Sequence, residues 1–308
     1  MLLLPYKADV ELGRWPVMTL AVCAICIWVF ARQAISAHAY ESALDNYCNR
    51  EITREERLVL RYLDVPPDAH YCDVLLQIRE APDKNAAIRQ LAEASRPTPF
   101  YRNRTDSTDY VYSTLSDSVQ RFERNVPRNL TEKLHFDPNH PTLLSMLTAA
   151  FSHGSWWHLI SNLIFFFAFA ASVEVIAGYV YYLGFILLSA VGTHLAYSYS
   201  VRGVEGAMPT VGLSGVVMAM MAFLATVMPK LSIRCFFWFL VIVRTFRVPA
   251  LAIAALYVAE NVLDYLNRSP NSNINYVAHI SGAAIGVAMG LLYRMRHREF
   301  LQELQREI

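Results

Sequence analysis

Two short stretches carry the residue types that can activate a nucleophile. Gly212-Leu213-Ser214-Gly215 opens an apolar segment running to Met228, so one hydroxyl sits between small residues near the start of an otherwise inert helix. Glycines there remove side chains around the hydroxyl and let backbone amides and a second helix come close. Val277-Ala278-His279-Ile280-Ser281-Gly282 opens another apolar segment, with an imidazole at the corresponding depth. A lone serine in an apolar helix is ordinary, because its hydroxyl can bond back to a carbonyl one turn earlier. A histidine at matched depth changes its meaning: hydroxyl and imidazole together are the minimum for an activated nucleophile.

A further stretch supplies donors. His158 and Asn162 are spaced by one helical turn and share a face. Both can donate hydrogen bonds, as an oxyanion hole requires. Polar side chains in apolar segments are expensive and mark functional positions. His279, Gly282 and Gly286 also share a face, within a small-residue stripe of Ala278, Gly282, Gly286 and Gly290. Such a stripe lets two helices touch. Plain packing is a sufficient reading of it, and that packing is what would bring His279 to the Gly212–Gly215 surface.

The elements that must position these groups are membrane helices. The chain of 308 residues is 55% hydrophobic and 17% charged, with mean hydropathy +0.27. A soluble protein carries about 25% charged residues. A net charge of +1 argues against a nucleic-acid partner, which would need a basic excess. Residues 37–140 hold 17 Asp and Glu and 14 Lys and Arg, more than half of all charges. The expected fold is therefore an all-α polytopic membrane protein with a mostly helical soluble insertion between its first and second spans.

In chain order, the reading is a tail at 1–14, a first span at 15–36 and the insertion at 37–136. Within the insertion, helical spacing recurs at 52–62, 72–78, 86–94 and 110–126. Residues 137–294 form the core, with spans near 157–176, 179–200, 210–228, 249–266 and 276–293, and a tail follows at 295–308. The aromatic run 236–243, flanked by arginines and too short to span, is read as lying on the membrane surface. Lys7, Arg14, the basic loop after 228 and Arg294, Arg296 and Arg298 all fall on one side under this count of six spans. The positive-inside rule makes that side cytoplasmic and turns the insertion outward. Cys48 and Cys72 lie in the insertion, where an oxidising compartment would allow a disulfide; two free thiols is the alternative.

With these motifs in hand, the chain resembles the rhomboid family of intramembrane serine proteases. The matching residues are His153, His158 and Asn162; Gly212, Ser214 and Gly215; and Ala278, His279, Gly282 and Gly286, in the family's order and spacing. The resemblance implies a six-helix bundle with a Ser214–His279 dyad and no acidic third member. Ser214 would attack the scissile carbonyl, and His279 would take its proton and return it to the leaving amine. The Ser214 amide, His158 and Asn162 would hold the oxyanion, with His153 in a supporting role. Glu174 matches a family position taken as structural. Neither metal nor cofactor is expected.

The chain departs from the family's pattern at two places. Leu144 and Ser145 stand where many bacterial members have Trp-Arg. Met218 stands where many have a tyrosine stacked on the catalytic histidine, so the imidazole lacks its usual brace. The implied partners are the lipid bilayer and single-span membrane-protein substrates cut near the outer face; the partner of the insertion is unknown. The expected location is a bacterial inner membrane with both termini cytoplasmic. Two other classes compete: a non-proteolytic rhomboid relative that binds membrane helices, and a transporter or channel. The first typically lacks the serine or histidine, and the second needs charged residues along a midplane path, which the later spans barely supply.

Overall fold

The structure is a computed structural model that describes residues 2–8, 15–66, 68–98, 101, 103–204, 207–239, 242–267 and 274–307. Strand β1 (Leu2–Ala8) precedes helix α1 (Val17–Cys48). Helices α2 (Arg54–Tyr62), α3 (Tyr71–Glu80), α4 (Lys84–Ala94), α5 (Arg104–Asn125) and α6 (Leu130–Leu134) follow. Next come α7 (Leu143–Phe151), α8 (Trp156–Ala177), α9 (Tyr179–Ser200) and α10 (Ser214–Val227). A hairpin of β2 (Ser232–Phe239) and β3 (Ile242–Pro249) leads to α11 (Ala250–Asn267), α12 (Tyr276–Arg296) and α13 (Arg298–Glu307). The chain divides into two compact units, residues 1–33 with 131–308, and residues 34–130.

Among the described residues, α1, α8, α9 and α12 are the helices long and apolar enough to cross a membrane. Helix α10 is shorter, and α11 carries Glu260 and Asp264. Every residue of α10 from Gly215 to Ala225 is buried, although its sequence is apolar all round rather than on one stripe. A helix of that kind belongs in the middle of a bundle. Helix α12 packs on it through the glycine stripe. A Cβ at Gly282 would lie 2.2 Å from the Gly215 carbonyl oxygen, and one at Gly286 would lie 2.2 Å from that of Ala219. Nothing larger than hydrogen fits at either position.

A carboxylate organises the other end of the unit. Glu174, on α8, accepts from the backbone N–H groups of Met18 and Thr19 at 3.0 and 2.7 Å and from the Thr19 hydroxyl at 2.8 Å. The first amides of a helix have no partner within it, and a negative charge there is favoured by the helix dipole. The Thr19 hydroxyl also meets Tyr182 of α9 at 2.8 Å, so a single buried cluster pins α1, α8 and α9 together.

The fold is mostly helical, but the all-α expectation needs correction. Strands β1, β2 and β3 form an antiparallel sheet in that order, with Leu2 opposite Trp238 and Ser232 opposite Pro249. The stretch read as a surface segment is thus a hairpin. Its β-branched and aromatic residues suit a pleated strand. Ile233 and Cys235 are buried while Ser232, Arg234 and Phe236 are only partly so, the alternation of a one-sided strand.

The smaller unit holds α2 to α5 around Leu63, Leu75, Ile78, Ile88, Leu115 and Phe122, all buried. These helices fall on the segments whose apolar spacing is helical in the sequence. Thr53 and Glu56 form a capping box at the start of α2. The fully buried Glu56 carboxylate accepts from Arg50 at 2.7 and 2.9 Å and from Arg121 at 3.3 Å. Cys48 and Cys72 are joined by a disulfide, their Cα atoms 5.5 Å apart. No Gly or Pro interrupts the sequence from Ala31 to Cys48, and α1 accordingly continues past the expected end of the first span to Cys48.

Candidate active site

The hydroxyl of Ser214 is placed by its backbone. Thr210 and Phe136 exchange backbone hydrogen bonds at 2.9 and 3.0 Å, which holds the chain entering the site. Gly212 then turns with φ +126°, a conformation side-chain-bearing residues rarely adopt, and its N–H donates to the Ala149 carbonyl at 2.8 Å. That turn makes Ser214 the first residue of α10. The N–H groups of this first turn have no acceptor within the helix, so they and the helix dipole favour a negative charge at this end of α10.

His158 approaches the same turn. A Cβ at Gly212 would lie 2.7 Å from His158 Cε1 and 2.8 Å from Nε2. Only glycine lets the imidazole come so near the backbone ahead of Ser214. His158 sits in the first turn of α8, whose start is capped by Ser155 accepting from the His158 N–H at 3.1 Å. His153 packs edge-on against His158, with ring centroids 5.3 Å apart. It is buried, and its backbone N–H donates to Gln33 Oε1 at 3.1 Å. Asn162 is buried one turn below His158, and its amide donates to the His158 carbonyl at 2.8 Å.

His279 enters from α12, which Asn275 caps by accepting from the Ala278 N–H at 3.0 Å. His158, Asn162, Ser214, Met218, Asn261 and His279 are among the residues lining one open cavity of about 450 Å³. Of the residues named from the sequence, His158, Asn162, Ser214, Met218 and His279 line one cavity, His153 lies behind His158, Gly282 and Gly286 lie in the α10–α12 contact, and a Cβ at Gly215 would meet the Thr193 side chain of α9 at 3.0 Å. Among the described residues no hydrogen bond joins Ser214 to His279. The imidazole Nδ1 is instead 2.6 Å from Asn261 Oδ1. Catalytic contacts are often long without substrate and tighten in the complex. Met218 is buried and faces the cavity without a polar group.

Sequence reasoning passed over Asn261, although its signal was present: an amide within an apolar helix is itself a functional flag. It passed over Gln33 as well, which also bonds Thr131 at 3.0 Å. No cluster of His, Cys, Asp or Glu among the described residues could hold a metal.

Comparison with known proteins agrees with this architecture. Residues 140–296 match the family model described as a Rhomboid domain, about half of the chain, and the protein belongs to the rhomboid family. It is also similar to rhomboid-like protein 11, chloroplastic, of Arabidopsis thaliana, with 28% identity over 170 residues. The matched stretch covers 51% of this chain and 55% of that relative, so the chain spans about half the length of the curated protein it matches.

Proposed function

We propose that the protein is an intramembrane serine endopeptidase that cleaves membrane-spanning substrates near the outer face of the bilayer. The observation that carries the reading is a single cavity walled by a helix-N-terminal serine, a histidine from a neighbouring helix and two further donors. Ser214 Oγ attacks the scissile carbonyl while His279 accepts its proton, and the oxyanion draws on the Ser214 N–H, His158 and Asn162. His279 then protonates the leaving amine, and water attacking through the same base frees the acyl group. A substrate helix must unwind before its carbonyl can be reached, so substrates are expected to carry helix-breaking residues near the cut.

The proposed topology has six spans, with the termini and the β2–β3 hairpin on the cytoplasmic side and residues 37–136 outside. Two features support it. Leu2–Ala8 and Ser232–Phe239 pair as neighbouring strands, so the N-terminal segment and the basic hairpin lie on one face of their unit. A disulfide within 34–130 suits an oxidising compartment. A bacterial inner membrane fits these features, and the similarity to a chloroplast protein makes an organelle membrane of the same polarity the alternative.

The test is co-expression with a tagged single-span reporter, paired with labelling by a fluorophosphonate. Wild type is expected to cut the reporter and take up the probe at Ser214. Ser214→Ala and His279→Ala should each abolish cleavage while leaving the protein folded, because removing either member of such a unit costs about as much as removing both. Wild-type protein that leaves reporters intact and Ser214 unlabelled would instead identify a membrane-helix-binding relative without protease activity.

A further inference from the structure

The partner of His279 has a defined orientation. Asn261, on α11, donates its amide nitrogen to the Tyr257 carbonyl one turn earlier at 2.8 Å. Its oxygen is thereby turned to the imidazole, with Oδ1 2.6 Å from His279 Nδ1. An amide oxygen only accepts, so a neutral His279 carries its proton on Nδ1 and keeps a lone pair on Nε2. That is the tautomer a general base for Ser214 needs.

We propose that Asn261 is the positioning residue of the catalytic group, holding His279 in the Nδ1–H tautomer and fixing its ring rotation so that Nε2 addresses Ser214. The proposal rests on the protease reading above and adds a third member to the dyad. During acylation the Ser214 Oγ proton passes to His279 Nε2 as the Oγ–carbon bond forms. The resulting imidazolium keeps its Nδ1–H on Asn261. The Nε2 proton then passes to the amine nitrogen as the carbon–nitrogen bond breaks, and the imidazole returns to its starting tautomer. Asn261 orients the ring throughout and exchanges no proton.

A neutral amide suits this place. A carboxylate would orient the ring equally well but would bring an ionised group into an apolar helix bundle, at a high desolvation cost. The position also answers a difficulty raised by Met218, whose flexible thioether restricts a neighbouring ring weakly. The brace comes instead from α11. The buried residues of that helix are Ala250, Ile253 and Ala254, all in its first two turns, so the bond from Asn261 ties its opposite half to α12.

The experiment uses the full chain in detergent micelles. Nitrogen NMR of histidine-labelled wild type, with His279 assigned by its loss in His279→Ala, is expected to show neutral His279 protonated on Nδ1. A proton on Nε2 overturns the proposal. Asn261→Ala is expected to lower kcat on the order of 10-fold with KM unchanged, the scale of one buried hydrogen bond, and to populate the Nε2–H tautomer. Asn261→Asp, which keeps the acceptor, should restore most of the turnover. Wild-type kcat in Asn261→Ala overturns the proposal while leaving the protease reading intact. If Asn261→Ala does not fold, the wild-type tautomer decides: a proton on Nδ1 supports the proposal and a proton on Nε2 overturns it. If wild type neither cleaves nor is labelled at Ser214, the protease reading fails and the role of Asn261 in catalysis falls with it.

Discussion

His158 and Asn162 occupy similar positions in sequence terms, yet their surroundings separate them. The His158 ring lies against Gly212, where it faces the turn into Ser214. The Asn162 amide donates one of its hydrogens to its own helix at the His158 carbonyl, leaving only one for a substrate. His158→Ala is therefore expected to lower turnover by roughly 100-fold with little change in KM, and Asn162→Ala by less. Single-turnover kinetics on a cleavable single-span reporter would measure both. Equal turnover in His158→Ala and wild type would make the histidine a packing group. Glu174, by contrast, lies outside the cavity lining, and its hydrogen bonds to Met18 and Thr19 give it a structural task.

At the scale of elements, the contact between α10 and α12 brings Ser214 and His279 to the lining of one cavity. It is a backbone-on-backbone contact, so it responds to single methyl groups. Gly286 lies two turns beyond His279 and outside the cavity lining, yet its missing Cβ is what lets α12 touch the Ala219 carbonyl. Gly286→Ala should push the helices apart, costing about 1–3 kcal/mol of stability and most of the activity. Gly184, inside α9, has open space where its Cβ would stand. Gly184→Ala should instead stabilise by about 0.5–1 kcal/mol, the usual gain of alanine over glycine within a helix. Thermal unfolding of the two variants in the same detergent checks the pair, and the opposite signs are the point. A Gly286→Ala protein as stable and active as wild type would mean that the α10–α12 contact is loose.

Across the whole molecule, the smaller unit holds a cluster of buried charge. Glu56 is paired there with Arg50 and Arg121. Burial alone would raise the pKa of Glu56, but hydrogen bonds from Arg50, the Thr53 N–H and Arg121 outweigh it and hold the carboxyl down at about 2. Unfolding returns it to the usual range near 4.3. A depressed folded pKa stabilises above the unfolded value, and that contribution is lost as pH falls through the folded one. Amide exchange in α2 and α5 should thus quicken as pH drops from about 4.5 toward 2, after correction for the intrinsic rate, and Glu56→Gln should flatten that dependence. A separate measurement addresses sidedness. Added protease should reach residues 37–136 in intact cells or right-side-out vesicles, and a protected insertion would overturn the proposed topology.

The sequence by itself marked most of the helices and the polar residues that line the cavity. Apolar runs and their spacing marked α2 to α5 and the core helices, because helical periodicity and span length are local properties. Ser214, His279, His158 and Asn162 stood out because polar groups in apolar segments are costly enough to be rare. Tertiary structure alone decided who meets whom. That His279 bonds Asn261 depends on the rotation and depth of α11 against α12, which hydropathy does not encode. That Leu2–Ala8 pairs with Ser232–Phe239 depends on strands far apart in the chain finding a common edge, so neither the tail nor the hairpin reads as sheet alone. Cys48 and Cys72 could be bonded or free until their Cα atoms came within 5.5 Å. In each case the deciding quantity is a distance between elements, and a sequence records order along the chain rather than proximity across it.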